Sequence, residues 1–225
     1  MPGLDLVTLP VLLALAASPS CAAAPPVVEM DFRNNPPIQR TDLSGRELGT
    51  FHVSTTFAKS RNEIFTVGGL TLSEFAPQFF MELNAPVDLV THEYCLSVKS
   101  IEITVNYQPT IYIAKEFNEG SCRFRQILQH EARHVNTDII AFNEYLPVLR
   151  DAVAAAASKI NAVKLTNAEG ISAVREKFLD LIKQALIEKT NEIEKVRFNR
   201  QQAIDTRQEY MRLSRMCEDE PLPRP

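Results

Sequence analysis

The sequence predicts an α+β fold, a small antiparallel sheet followed by a long antiparallel helical hairpin. Three patterns carry this expectation. In Val98–Tyr107, Ile101, Ile103 and Val105 alternate with polar residues, the period of a half-buried strand. Further on, Leu128, Val135, Ile139, Phe142, Leu146, Leu149 and Val153 recur at three-, four- and seven-residue steps, one apolar stripe on a helix running from Ser121 to about Ala162. After the break Asn167-Ala168-Glu169-Gly170, a second long helix is expected from about Ile171 to Cys217.

The chain has 225 residues, 45% of them hydrophobic, enough for one domain with a substantial core. Its formal net charge is -4, which leaves no basic surplus for phosphates, so nucleic acid is not an expected partner. The run Leu6–Ala17 is apolar but too short to span a bilayer, and Ala22-Ala23-Ala24 after it offers a small-x-small cleavage pattern. Residues 1–24 are therefore expected to be a signal peptide, with no transmembrane helix and a secreted or periplasmic product. A lipid anchor on Cys21 is the disfavoured alternative, because Ser18-Pro19-Ser20 lacks the aliphatic residue such a site needs.

The remaining elements follow in order. Residues 25–50, with Pro25, Pro26, Pro36 and Pro37, read as an extended N-terminal segment. Residues 51–217 form the domain. Within it Ile64–Val67, Gly68-Gly69 and Leu70–Leu72 suggest a hairpin, Ser73–Leu83 a short helix, and Pro109–Ile113 a second strand after Val98–Tyr107. Residues 218–225 read as a loose acidic tail. In an oxidising compartment two of Cys95, Cys122 and Cys217 would pair; Cys95–Cys122 is favoured, and Cys217 can replace either partner. A monomer is expected, since an intramolecular hairpin accounts for the stripes.

Chemistry concentrates in His130-Glu131-Ala132-Arg133-His134. On a helix His130 and His134 lie one turn apart on one face, so both imidazoles reach one zinc ion, while Glu131 is placed as general base toward a metal-activated water. The opposite reading is a pair of histidines on a helix surface with no metal.

The stretch Cys95, Pro109, Cys122, Gln129-His130-Glu131-Ala132-Arg133-His134 and Asp138, behind a signal-peptide-like segment, resembles a bacterial family of uncharacterised proteins described as predicted secreted zinc-dependent proteases. The resemblance spans roughly residues 60–215, and only HExxH is specific within it. It implies a zincin-like fold, with the motif helix packed on the sheet and a third ligand on a later helix. The third histidine of the longer HExxHxxGxxH pattern is excluded, because Thr137 and Ile140 stand at its Gly and His positions.

For the third ligand, a hairpin turning near residue 166 sets positions near 132 opposite positions near 200, where Glu194, Asp205 and Glu209 are the nearest acids. Asp205 and Glu209 are four apart, resembling the acidic pair on the second helix of glutamate-type zincins; Glu209 is nominated as metal ligand, with Asp205 as its support or substitute. The competing reading pairs these acids with Arg200, Arg207, Arg212 and Arg215 on a solvated surface. Asp138 suits bracing or a plain solvent-facing position better than ligation, His92 is an alternative ligand against a structural role, and Tyr210 is either an oxyanion donor or a packed aromatic. The expected function is a secreted zinc-dependent hydrolase, foremost a metallopeptidase acting on a peptide or protein. The alternative is a non-enzymatic envelope interaction protein with a degenerate or structural metal site.

Overall fold

The computed structural model describes residue 21, residues 23–51 and residues 67–220. The apolar run Leu6–Ala17, the first arm of the expected 64–72 hairpin and residues 221–225 lie outside the described residues. Along the chain run β1 (Val27–Asn34), β2 (Ile38–Arg40), α1 (Gly45–Leu48), β3 (Gly69–Asn84), β4 (Tyr94–Ile113), α2 (Cys122–Ala157), β5 (Val163–Leu165), α3 (Gly170–Ile204) and α4 (Arg207–Arg215).

β4 organises the sheet. Ile101, Ile103, Val105, Tyr107, Ile111 and Ile113 are all buried, and the two strands expected here are one. Pro109 does not interrupt it. The Tyr107 carbonyl accepts from Asn35 N–H on the β1 side, so Pro109, two residues on, points the same way. There it meets the gap between β1, whose pairing ends at Tyr107, and β2, whose pairing starts at Thr110. No ladder bond is lost.

The sheet is mixed, not antiparallel as expected: β1 and β2 run parallel to β4, whereas β3 and β5 run antiparallel to it. The segment read as an extended N-terminus is thus part of the sheet. Val28, Met30 and Phe32 alternate with exposed Glu29 and Asp31 and pack on the core. Ser44 and Glu47 then close a capping box on α1.

The short helix expected over Ser73–Leu83 is strand β3. Phe75, Pro77, Phe79 and Met81 turn inward while Glu74, Ala76, Gln78 and Phe80 turn out, a period of two that a helix would scramble. Pro77 pairs with Val105, whose polar groups share the direction of Tyr107, so the missing N–H of Pro77 faces the free edge. An irregularity between Glu82 and Leu83 admits Lys99 as an extra residue, which lets Val98 and Ile101 both face inward.

α2 starts where Ser121 caps Phe124 N–H and lays its stripe on the sheet. Phe142 stacks on Phe75 at 4.6 Å and meets Tyr107 and Phe32 at 4.9 and 5.6 Å. α3 returns antiparallel along α2 and buries Phe178, Ile182, Leu186 and Ile193. The expected hairpin is present with two corrections. α2 ends at Ala157 because residues 163–165 leave it to pair with the start of β4, and the second helix breaks at Asp205-Thr206, where Thr206 caps the separate helix α4.

Two disulfides, Cys21–Cys95 and Cys122–Cys217, replace the expected Cys95–Cys122 pair. Cys95 lies at the start of β4 and Cys122 at the start of α2, on opposite sides of a 20-residue strand, so neither can reach the other. Cys21 thus lies against the start of β4 in this structure. Residues 218–220 are not loose either: the Glu220 carboxylate accepts from the N–H groups of Cys122 (2.5 Å) and Arg123 (3.1 Å), capping α2 beside the Cys122–Cys217 bridge. Among the described residues no helix is long and apolar enough to cross a membrane.

Candidate metal centre

His130, Glu131 and His134 sit on the face of α2 turned toward the start of β3 and the end of α3, and they are only 4%, 4% and 7% exposed. Polar groups buried this deeply need partners. The key partner arrives because α3 stops. Asp205 leaves the helical conformation (φ -81°, ψ 58°), and its carboxylate turns in beneath the two imidazoles.

Three atoms converge there. His130 Nε2 lies 3.1 Å from Asp205 Oδ1, His134 Nε2 lies 3.2 Å from the same oxygen, and the two nitrogens are 3.3 Å apart. Tetrahedral ligands held ~2.0 Å from one ion lie ~3.3 Å from one another, so this triangle has the size of one face of a tetrahedral site. Two imidazole lone pairs at this separation repel unless a proton or cation lies between them. Two imidazoles and a carboxylate suit zinc and neighbouring divalent transition ions, and they leave a fourth vertex.

The expected third ligand, Glu209, is corrected by this geometry. The i, i+4 relation between Asp205 and Glu209 assumed a continuous helix, and the break at Thr206 removes it. Glu209 instead approaches the other side of His130, its Oε1 3.4 Å from Nδ1. Arg133 holds it, as do Arg212 Nε and Nη2 at 2.9 and 2.7 Å. The Arg212 guanidinium, followed by Arg133, brings its carboxyl down to about 2 despite some burial. This is the arginine-paired arrangement weighed against ligation, and it sets both Arg133 Nη2 (3.0 Å) and Glu209 Oε1 (3.4 Å) against His130 Nδ1, on the side of the ring away from Asp205.

The His134 ring is oriented by Gln201. Its Nδ1 faces Gln201 Oε1, while Gln201 Nε2 donates to His134 O (3.0 Å) and to Asp138 Oδ1 (2.6 Å). With both amide hydrogens committed, Gln201 offers only its oxygen to the ring, which requires Nδ1–H and frees Nε2. Asp138, 1% exposed, accepts further from Arg197 Nε (3.0 Å) and Nη2 (2.6 Å), Ser73 Oγ (3.0 Å) and Tyr107 Oη (3.1 Å). One buried carboxylate thus ties α2 to α3, β3 and β4. Its oxygens are taken up by these donors, and the three converging atoms come from His130, His134 and Asp205.

Glu131 Oε2 accepts from Thr71 Oγ1 at 2.8 Å. Burial raises its carboxyl above the ordinary range, more than the nearby imidazoles and Thr71 pull it down. Burial also opposes the charged form of His134, but Asp205 and Glu131 outweigh it, and the ring is held above its ordinary value. For Asp205 burial is likewise the largest influence, yet the two imidazoles and Tyr210 together hold it well below the carboxylate range. Tyr210 donates to Asp205 Oδ1 at 3.0 Å, and burial with that carboxylate keeps the phenol protonated. His92 lies in the exposed turn between β3 and β4 and takes no part.

Gly68-Gly69, which look like a turn, serve a different purpose. A Cβ on Gly69 would collide with Ile127 and come 2.8 Å from Glu131 Oε1, so only bare backbone lets β3 pass this close to the motif helix. The site lies at the floor of a cleft of about 590 Å³ between α2, the start of β3 and the α3–α4 junction. Sequence reasoning missed Gln201, Arg197 and Thr71. Arg197 did leave a signal: it falls four residues after Ile193 on the buried stripe, where a charge needs an acid opposite it. No family model, no curated protein and no solved structure matches this chain.

Proposed function

We propose that this chain is a secreted or periplasmic zinc-dependent hydrolase, a metallopeptidase with a zincin-like arrangement of motif helix on sheet. The observation that carries it is the triangle of His130 Nε2, His134 Nε2 and Asp205 Oδ1, sized for one tetrahedral ion. Zinc bound there would supply a Lewis acid for the scissile carbonyl and lower the pKa of a nearby water. Glu131, next to these ligands and raised in pKa by burial, takes the proton of the attacking water and passes it to the leaving amine. Gln201 holds the His134 ring in the tautomer that leaves its Nε2 free, and Glu209 with Arg133 packs against Nδ1 of the His130 ring. The Tyr210 hydroxyl fixes the Asp205 oxygen from the cleft side.

The two disulfides support an oxidising compartment. Leader removal after Ala16, where Ala14-Leu15-Ala16 has the small-x-small pattern, keeps Cys21 with its partner; removal after Ala24 discards it. Metal analysis combined with Glu131→Gln tests the reading. Wild type binds one equivalent of zinc and cleaves peptides, and the variant keeps the zinc but loses cleavage. A wild type without stoichiometric metal, or a variant that still hydrolyses, overturns it.

A further inference from the structure

Building on the metal centre of the hydrolase reading above, we propose that α4 is a redox-released strap. The Cys122–Cys217 bridge latches it against α2, and opening that bridge loosens the centre. None of the nine residues of α4 is buried, whereas α3 buries Phe178, Ile182, Leu186 and Ile193. An element without buried apolar contacts is held by its attachments and opens locally at low cost. α4 is attached at both ends. At one, α3 breaks at Asp205 and Thr206 caps the new helix, which makes a joint. At the other, Cys217 is bonded to Cys122 in the first turn of α2. The Glu220 carboxylate on the Cys122 and Arg123 N–H groups, and Arg123 Nη2 on the Cys217 and Glu220 carbonyls, gather around this bridge.

Between its ends α4 serves the centre. Tyr210 donates to Asp205 Oδ1 at 3.0 Å, and Glu209 Oε1 lies 3.4 Å from His130 Nδ1. Tyr210, Leu213 and Ser214 line the same cleft as His130 and His134. Of the two arginines on Glu209, Arg212 belongs to α4 itself, so only Arg133 ties that carboxylate to α2. Its side chain is 47% exposed, and exposed ion pairs hold weakly.

Cys122 is partly exposed while Cys217 is buried, so Cys122 Sγ is the sulfur open to attack. A thiolate of a dithiol attacking it breaks the S–S bond and expels the Cys217 thiolate. The second sulfur of the dithiol then attacks the mixed disulfide and releases Cys122. Two electrons pass to the protein, the dithiol becomes a disulfide, and each cysteine takes up a proton. α4 then swings at its joint, carrying Tyr210 from Asp205 and Glu209 from His130. Loss of such outer partners costs about tenfold to a hundredfold in metal affinity, so the reduced chain is the weaker zinc binder.

The second bridge is the control. Cys21–Cys95 lies at the opposite end of β4 from the centre, and its separation of 74 residues, against 95, constrains the unfolded chain nearly as much. Zinc affinity, by competition with a chromophoric chelator, and amide hydrogen exchange are compared in two serine pairs. Cys122→Ser/Cys217→Ser is expected to lower zinc affinity about tenfold to a hundredfold and to speed exchange over residues 207–217 while β4 stays protected. Cys21→Ser/Cys95→Ser should leave both unchanged. In that second protein, tris(2-carboxyethyl)phosphine should open Cys122–Cys217 and produce the same losses, and reoxidation should restore them. Zinc affinity unchanged without Cys122–Cys217, or exchange that rises across β4 as much as over α4, overturns the latch. Exchange reads the strap without metal, so a wild type that takes no zinc yet frees residues 207–217 on reduction overturns the hydrolase reading alone.

Discussion

The two halves of α2 are buried to similar depth by opposite means. From Ala141 to Ala157 the helix buries Phe142, Leu146, Leu149 and Val153 against apolar neighbours on the sheet and α3. From Phe124 to Asp138 it buries His130, Glu131, His134 and Asp138, each held by named polar partners on β3, α3 or α4. The apolar half stabilises the fold through area and shape, which many side chains supply. The polar half works only when each donor meets its acceptor, and at one point two imidazole nitrogens and a carboxylate oxygen converge in an arrangement that could hold a cation. A helix that exchanges apolar burial for this arrangement is expected to do so where a function requires it.

Mutations that break the contrast should differ in kind. The largest effect is expected for Asp138→Ala, which strands the Arg197 guanidinium at the junction of four elements. A loss of about 3–5 kcal/mol in denaturant unfolding is expected, with zinc affinity falling too because Gln201 loses its anchor. Phe142→Ala should cost a similar ~3–4 kcal/mol while zinc stoichiometry stays intact. Zinc loss in the Phe142 variant, or none in the Asp138 variant, would erase the distinction between the halves. Chelation should lower the stability of the wild type by about 2.7 kcal/mol relative to protein in zinc at a hundredfold over Kd, and should leave Asp205→Ala unchanged.

Smaller effects sharpen the picture. Gly69→Ala should cut hydrolysis severalfold with zinc retained, since its Cβ displaces Glu131 and leaves the ligands in place; kinetics paired with metal analysis decide it. The smallest effect is expected for Glu220→Gln at the start of α2. Bonds from the Cys122 and Arg123 N–H groups lower this carboxyl, so its contribution is present above the ordinary glutamate range and is lost as pH falls through its depressed value. The stability difference between wild type and Glu220→Gln should therefore shrink on acidification, and a difference constant with pH would contradict the cap.

Legibility followed the same division. The apolar half of α2, the return of α3 and the inward residues of β4 were plain from periodicity, and the HExxH spacing alone marked both imidazoles and Glu131. The third member of the cluster, Asp205, was not plain, because its position depends on a helix break. Thr206 and Glu209 stand in a Thr-x-x-Glu pattern that marks a helix start, and reading it would have separated Asp205 from Glu209. β1 hid behind flanking prolines although Val28, Met30 and Phe32 alternate, and Pro77 was the argument against a helix over Ser73–Leu83. Disulfide pairing depends on which ends the fold brings together, which spacing does not encode.

X-ray absorption at the zinc edge, on wild type beside Asp205→Ala and Glu209→Ala, tests the centre most directly. Two imidazole nitrogens, one carboxylate oxygen and one further light atom at about 2.0–2.1 Å are predicted for wild type, lost in Asp205→Ala and kept in Glu209→Ala. A spectrum unchanged by Asp205→Ala and abolished by Glu209→Ala, or no bound zinc in wild type, would contradict it.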